Sequence, residues 1–184
     1  MQMTMEKHHP KIAPFMEYLE GLRARPSSEE VTQEMQGFDI SATELGDYVQ
    51  FHHDTYRRNL IFENEYVQLL CLCWKSGQQS PVHDHSASIC GVKVISGIAS
   101  ETTYEMNPDG FIKPLSTIDY SEGVIVSEDS DIHHVSNLQD INGDLVTLHC
   151  YFPPLKKMNL FSISSKYAQV YEPVNEWHID GSGI

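Results

Sequence analysis

The stretch "SICGVKVISGIASETTYEMNPDGFIKPLSTIDY", residues 88–120, decides the fold. It contains three apolar runs, at residues 88–95, 98–105 and 111–120, which are separated by Gly97 and by the turn sequence Asn107-Pro108-Asp109-Gly110. Runs this short, interrupted this often by turn residues, are typical of β-strands. Because similar runs continue on both sides, we predict a mainly β protein, built as a sandwich or a barrel.

The chain changes character near residue 58. Beyond it, short apolar runs predict strands near residues 59–62, 67–74, 88–95, 98–105, 111–120, 123–126, 135–138, 145–152 and 168–174. Before it, "KIAPFMEYLEGLRAR" (residues 11–25) has apolar residues at helical spacing, "SSEEVTQEM" offers Ser27 or Ser28 as a helix cap, and Ser41 with Glu44 forms a capping box. We therefore expect an N-terminal helical segment, residues 1–50, packed on a β-barrel, residues 51–184, in one domain.

Composition limits the possible functions. The 184 residues have a formal net charge of −14, which argues against binding to nucleic acid or to an anionic membrane. The longest apolar-rich run, residues 66–74, is too short to span a bilayer, and the first residues lack the apolar region of a secretion signal. Four cysteines are too few for a disulfide framework at this length. We expect a cytoplasmic protein, and a monomer.

Two histidines flank an aspartate in "PVHDH", residues 81–85. In an extended segment, His83 and His85 project to one side while Asp84 faces away, so both imidazoles can reach a single ion. A catalytic metal needs at least one more protein ligand. The segment "DIHHVSNL", residues 131–138, supplies either His133 or His134. The sequence therefore indicates a metal site.

At these residues the sequence resembles the cupin superfamily. Gly77, His83-x-His85 and Gly97 resemble the first cupin motif, and His133 followed by Asn137 resembles the second. Cupins normally have a glutamate shortly after the second histidine, whereas this chain has Cys90. A cysteine at that place is a feature of the thiol dioxygenases.

Three further segments are similar to those of cysteine dioxygenases, within the thiol dioxygenase family: "YRRNL" (residues 56–60), "LCLCW" (residues 70–74) and "VTLHCYFPP" (residues 146–154). The resemblance covers roughly residues 45–166. It implies a small, jelly-roll-like cupin barrel and the oxidation of L-cysteine by O₂ to cysteine sulfinate on Fe(II).

The resemblance also implies a role for each site residue. His83, His85 and His133 would bind iron, with His133 preferred to His134 because of its spacing to Asn137. Arg58 would bind the substrate carboxylate, and Tyr56 would line the pocket. Tyr151 would contact bound substrate or oxygen, oriented by a relay from Thr147 through His149. Cys90 and Tyr151 would be able to form a thioether crosslink.

Two alternative functions stay open in the sequence. The first is a dioxygenase for another small thiol, 3-mercaptopropionate or cysteamine; Arg58 argues against cysteamine, which has no carboxylate. The second is a metal-binding cupin without catalysis, although such a site has little need of the relay through Thr147, His149 and Tyr151. The tail after Lys166 matches the family poorly, which leaves the fine choice of substrate open.

Overall fold

The computed structural model describes residues 9–128 and 130–177. The helices come first: α1 is Ala13–Gly21, α2 is Ser28–Gln36 and α3 is Ala42–Leu45, followed by a 3₁₀ turn at Gly46–Tyr48. Ser27 caps α2 and Ser41 caps α3, each in a complete capping box with the glutamate three residues later. Helix α1 ends at Gly21, before the predicted helix end at Arg25, because the backbone is already extended at Leu22.

Beyond these helices, every regular element of the described chain is a β-strand, as predicted. The strands are β1 Arg57–Glu63, β2 Gln68–Trp74, β3 Ile89–Ser96, β4 Ala99–Met106, β5 Ile112–Tyr120, β6 Val124–Ser127, β7 Ile132–Ser136, β8 Leu145–Phe152, β9 Met158–Ser162, β10 Ser165–Tyr171 and β11 Glu176–Trp177. Nine of them correspond to the predicted runs; β9 and β11 were not predicted. Strand β7 begins at Ile132, so it includes His133, which the predicted strand at residues 135–138 did not.

The strands form two layers. The first is a six-stranded sheet in the order β11-β1-β2-β8-β3-β6. The second combines the sheet β5-β4-β7 with the hairpin β10-β9, and residues 79–83 join the two through bridges from Gln79 to Ser136, from His83 to His133 and from His83 to Leu160. The segment that carries His83 is therefore held between β7 and β9.

Strands β2 and β8 are buried at every position. Along β2, Leu70, Leu72 and Trp74 belong to the cluster between the two layers, whereas Leu69, Cys71 and Cys73 belong to a second cluster with the helices. Alternate residues therefore face two different cores, and this explains why the strand is apolar throughout. On β8 the same alternation directs Thr147, His149 and Tyr151 into the interior.

Two glycines allow elements to approach closely. A Cβ atom on Gly91, in β3, would clash with Sδ of Met35, so the glycine lets α2 pack directly on the sheet. Gly97 has φ +88°, and a Cβ there would lie 2.5 Å from the carbonyl oxygen of Asp144. Glycine is thus required at the β3–β4 turn both by conformation and by space.

Helices α1 and α2 share their core cluster with β2 and β8. This packing supports our proposal that residues 1–50 and 51–184 form a single domain. Within the described part of the chain, no helix has both the length and the apolar character needed to cross a membrane.

Candidate metal centre

Three histidines from two distant segments converge in the interior. One ring nitrogen from each of His83, His85 and His133 lies within 4.8 Å of the others, and all three side chains are buried. The Nε2 atoms of His85 and His133 are 3.1 Å apart. Metal–imidazole bonds are about 2.1 Å long, so two ligands at a right angle have nitrogens about 3 Å apart. The spacing fits two neighbouring ligands of one ion.

Hydrogen bonds on the outer side orient two of the rings. Nδ1 of His83 lies 2.9 Å from the carbonyl oxygen of Pro81, and Nδ1 of His133 lies 2.6 Å from Oε1 of Glu101. Because both oxygens only accept, each Nδ1 donates, which leaves each Nε2 with its lone pair directed to the cluster. A second partner that fixes the tautomer in this way is characteristic of metal-binding histidines.

Burial keeps two of the imidazoles, those of His83 and His85, neutral. Desolvation, with a smaller effect of His133, lowers the pKa of His83 to about 3 and holds that of His85 well below its usual value. Neutral imidazole is the form that binds a metal. The three imidazole donors, the tautomers of His83 and His133, and the neutral state of His83 and His85 fit a divalent transition metal, and this cluster would hold it.

Residues 81–85 do not form the strand that the sequence analysis considered. His83 makes isolated bridges on both sides, but its neighbours lie outside any strand. The carboxylate of Asp84 binds the backbone and side-chain amides of Asn159, at 3.0 and 2.8 Å, and accepts from Ser86. Asp84 therefore ties the histidine segment to β9, and the two imidazoles converge without regular strand geometry.

His134 does not join the cluster. Its Nδ1 lies 3.0 Å from the hydroxyl of Tyr104, on a neighbouring strand. Adjacent residues of β7 point to opposite sides, so only His133 faces the interior. Asn137, which follows in the motif, is fully buried and donates to the carbonyl oxygens of Trp74 and Gly143. It holds the end of β7 against β2.

The interior face of β8 carries a chain of hydrogen bonds. The hydroxyl of Thr147 is 3.0 Å from Nε2 of His149, and Nδ1 of His149 is 3.4 Å from the hydroxyl of Tyr151. Trp74 donates from Nε1 to the same Thr147 oxygen at 3.0 Å. This series of hydrogen bonds thus begins at Trp74, whose indole N–H can only donate, and ends at the phenol of Tyr151.

Burial sets the protonation states of His149 and Tyr151 in this series of hydrogen bonds. Desolvation holds the pKa of His149 well below its usual value and raises the pKa of Tyr151. Tyr151 is therefore a neutral phenol, able to donate a hydrogen bond. Its ring contacts the ring of His85, at 5.7 Å between centroids.

Arg58 also lies close to the Tyr151 ring. Its guanidinium carbon is 5.6 Å from the centroid of that ring, and the side chain is buried. Nε donates to Oδ1 of Asn175 at 2.9 Å, whereas Nη2 is buried without a hydrogen-bond partner among the described residues. A buried guanidinium with an unpaired donor is suited to an anion such as a carboxylate.

Two adjoining cavities lead to these residues. The inner one is narrow and is lined by the histidine cluster, by Tyr151 and by Met158; the outer one has a volume of about 470 Å³. Tyr56 and Arg58 line both cavities, and Tyr56 stacks on Trp74 with ring centroids 4.2 Å apart. The outer cavity therefore leads past Arg58 towards the histidines.

Cys90 lies directly beside Tyr151. The two residues are paired in register on β3 and β8, and the thiol of Cys90 is 3.9 Å from Nδ1 of His149. Desolvation raises the pKa of this thiol, which is free, as are the other three cysteines.

Glu101 and Asn175 were not predicted from the sequence. Glu101 is a buried carboxylate in β4 that binds His133, and Asn175 binds Arg58 from the C-terminal segment. A lone acidic residue inside an otherwise uncharged part of a strand was the available signal for Glu101. No local pattern indicated Asn175.

Comparison with known proteins assigns the family. The model of the family described as cysteine dioxygenase type I matches residues 10–164. Cysteine dioxygenase type 1 from Homo sapiens is 31% identical over 141 residues, which cover 72% of this chain and 68% of that protein. The protein of the same name from Bos taurus is 30% identical with the same coverage.

Solved structures with double-stranded β-helix or cupin folds are also similar. A Klebsiella pneumoniae protein with a double-stranded β-helix domain is 17% identical, with a TM-score of 0.47, over 63% of this chain and 92% of that one. An RmlC-like cupin from Desulfovibrio desulfuricans is 24% identical, with a TM-score of 0.45, over 62% of this chain and 98% of that one. Scores this low carry no argument about function.

The family match covers most of the chain, including the histidine cluster, Arg58, Cys90 and the hydrogen-bonded chain on β8. It confirms the resemblance seen in the sequence, and it sets aside the alternative of a metal-binding protein without catalysis. The chain belongs to the cysteine dioxygenase type I family and is an enzyme of the thiol dioxygenase class.

Proposed function

We propose that this enzyme binds iron(II) through His83, His85 and His133 and oxidises L-cysteine with O₂ to cysteine sulfinate. The observation that carries the proposal is the convergence of three buried imidazoles near an arginine with an unpaired nitrogen. The relatives named cysteine dioxygenase type 1 support the choice of thiol.

Arg58 favours a thiol that carries a carboxylate. A guanidinium that stays charged at all physiological pH values matches a carboxylate with two parallel hydrogen bonds. Cysteamine has no carboxylate and would leave the buried Nη2 unpaired. Cysteine and 3-mercaptopropionate both have one, so Arg58 does not distinguish between them.

Bound iron(II) would supply a Lewis acid that favours the thiolate form of the substrate and a site for O₂ beside the sulfur. The protein holds the substrate carboxylate at Arg58, which fixes the sulfur relative to the histidine cluster. The Tyr151 hydroxyl donates a hydrogen bond towards the reacting atoms, and His149 orients it. Both oxygen atoms end on sulfur, which loses four electrons to O₂, so no external reductant is required.

The test is oxygen uptake by the iron-loaded protein with each thiol in turn. We expect one O₂ consumed for each cysteine sulfinate formed, a slower reaction with 3-mercaptopropionate and little uptake with cysteamine. No uptake with any thiol would overturn the proposal. Equal rates with cysteine and cysteamine would overturn the role of Arg58.

We further propose that the enzyme works as a monomer in the cytoplasm. The four free cysteines support a reducing compartment. Sedimentation of the purified protein tests the oligomeric state.

A further inference from the structure

The C-terminal segment returns to the entrance of the site. Strand β11 pairs in parallel with β1, with Glu176 opposite Asn59 and Trp177 opposite Leu60. Pro173 and Val174 line the outer cavity beside Arg58. The family match ends at residue 164, so this wall of the cavity comes from a part of the chain outside the matched region.

Asn175 is the residue of this segment that contacts Arg58. Its Oδ1 accepts from Nε of Arg58 at 2.9 Å. The charged neighbour, Glu176, approaches the other arginine instead, at 3.9 Å from Nη2 of Arg57. The segment therefore offers Arg58 a neutral acceptor and offers Arg57 the charged one.

The planar guanidinium makes this bond directional. Its five N–H groups lie in one plane, so an acceptor on Nε fixes the plane and leaves Nη2 for another ligand. Nη2 has no partner among the described residues, so this edge is available to a carboxylate. Because asparagine is neutral, it orients the guanidinium without reducing the charge that attracts the substrate.

We propose that Asn175 is a positioning residue, which holds Arg58 in the orientation that receives the substrate carboxylate and so sets the preference for carboxylate-bearing thiols. The inference rests on the proposed function, because it assumes that Arg58 binds substrate. Asn175 acts through Arg58 and needs no contact with the thiol.

The test is a comparison of thiols in two variants of the iron-loaded, full-length enzyme. In Asn175→Ala the guanidinium loses its orientation, and we expect KM for L-cysteine to rise about tenfold with little change in kcat, as for the loss of one hydrogen bond to a charged group. In Asn175→Asp the new carboxylate pairs with Arg58, and we expect a rise at least as large. KM for cysteamine should stay unchanged in both variants.

Glu172→Gln is the matched control, since Glu172 belongs to the same segment but lies 3.6 Å from Lys157. It should leave both KM values unchanged. A variant is accepted only if its melting temperature and iron content match those of the wild type; if Asn175→Ala fails this requirement, Asn175→Asp decides. The proposal is overturned if KM changes by the same factor for cysteine and cysteamine, or if KM changes for neither thiol.

A binding measurement separates this proposal from the proposed function. Dissociation constants of L-cysteine and cysteamine are measured without O₂ for the wild type and both variants. If the wild type binds cysteine more tightly than cysteamine but oxidises neither thiol, the proposed function fails. The affinities of the two variants for cysteine then still decide the role of Asn175. If the wild type binds both thiols equally, the proposal for Asn175 is overturned.

Discussion

Two of the three histidines in the cluster depend on a partner outside it. His133 is oriented by Glu101 and His83 by the carbonyl of Pro81. A carboxylate on the far nitrogen also increases the basicity of the imidazole, which strengthens its bond to a metal. The affinity for iron therefore depends on residues that do not touch the ion.

Glu101→Gln tests this dependence. The neutral amide is a weaker acceptor than the carboxylate, so we expect iron(II) affinity to fall about tenfold, at the low end of such effects. Competition with a chelator measures it. Glu105→Gln on the same strand, where Glu105 pairs with Lys113 at 2.7 Å, is the control and should keep the wild-type affinity. Equal affinities in the two variants would contradict the role of Glu101.

Among the site residues, those that belong to a sequence motif were predicted, whereas the residues that hydrogen-bond to them were not. The spacing from His133 to Asn137 selected His133 over His134, and only His133 faces the cluster. Glu101 and Asn175 reach their partners through strand pairings between distant segments, β4 with β7 and β11 with β1. Such pairings are set by the folded chain and have no local signature.

Among the elements, the pairing of β3 with β8 brings two reactive side chains together. Cys90 and Tyr151 are opposite each other in register, and both are fully buried. Neighbouring side chains on paired strands have Cβ atoms about 5 Å apart, within reach of a bond between the sulfur and the aromatic ring. The sequence-based expectation of a thioether is therefore sterically reasonable.

We predict that the thioether forms during turnover with cysteine and O₂. Bond formation removes one hydrogen from the thiol and one from the ring, and O₂ accepts the two electrons and two protons to give hydrogen peroxide. The intact mass of the wild type should then fall by the mass of two hydrogen atoms. Cys150→Ser is the control and should show the same fall, because Cys150 lies in the other core cluster, shared with the helices. Cys90→Ser should show no loss; a loss of the same size in that variant would exclude this pair.

The loop between His85 and β3 contains backbone strain. Ser86 and Ala87 have φ values of +42° and +86°, a region that residues with side chains rarely adopt. Asp84 and Arg25 hold this loop, through Ser86 and the carbonyl of Ala87. The strained turn places β3 directly after the histidine segment.

Ala87→Gly should relieve this strain. We expect the free energy of unfolding to rise by about 1 kcal/mol, because the removal of a Cβ at positive φ outweighs the added freedom of the unfolded chain. Denaturant unfolding measures the change. Ala168→Gly, in an exposed part of β10 where φ is not positive, should instead lower stability by about 0.5–1 kcal/mol. A loss of stability in Ala87→Gly would contradict the argument.

The elements themselves were predicted best where both faces are buried. Strand β8 has the predicted limits, because its long apolar run is bounded by turn residues. Strand β9 was missed because Pro153-Pro154 and Lys156-Lys157 precede it and indicate a turn or a solvated loop. Residues 81–85 were considered as a strand, but they make only isolated bridges at His83, since they connect two sheets without joining either.

For the whole molecule, the metal site lies where the second layer is least regular. His83 and His85 belong to the connecting segment, whereas His133 belongs to β7. An ion bound by all three would link this segment to the sheet. Ligand binding to the folded state alone raises stability by mass action, by about 2.7 kcal/mol at one hundred times the dissociation constant.

We therefore expect iron(II), added without O₂, to raise the melting temperature of the full chain, and a chelator to reverse the increase. In His83→Ala the metal loses one ligand and its link to the connecting segment, so most of the increase should disappear. His53→Ala is the control, because the His53 side chain is 97% exposed and pairs only with its neighbour Asp54 among the described residues. Differential scanning calorimetry measures each shift. An undiminished increase in His83→Ala would mean that the stabilising ion binds elsewhere.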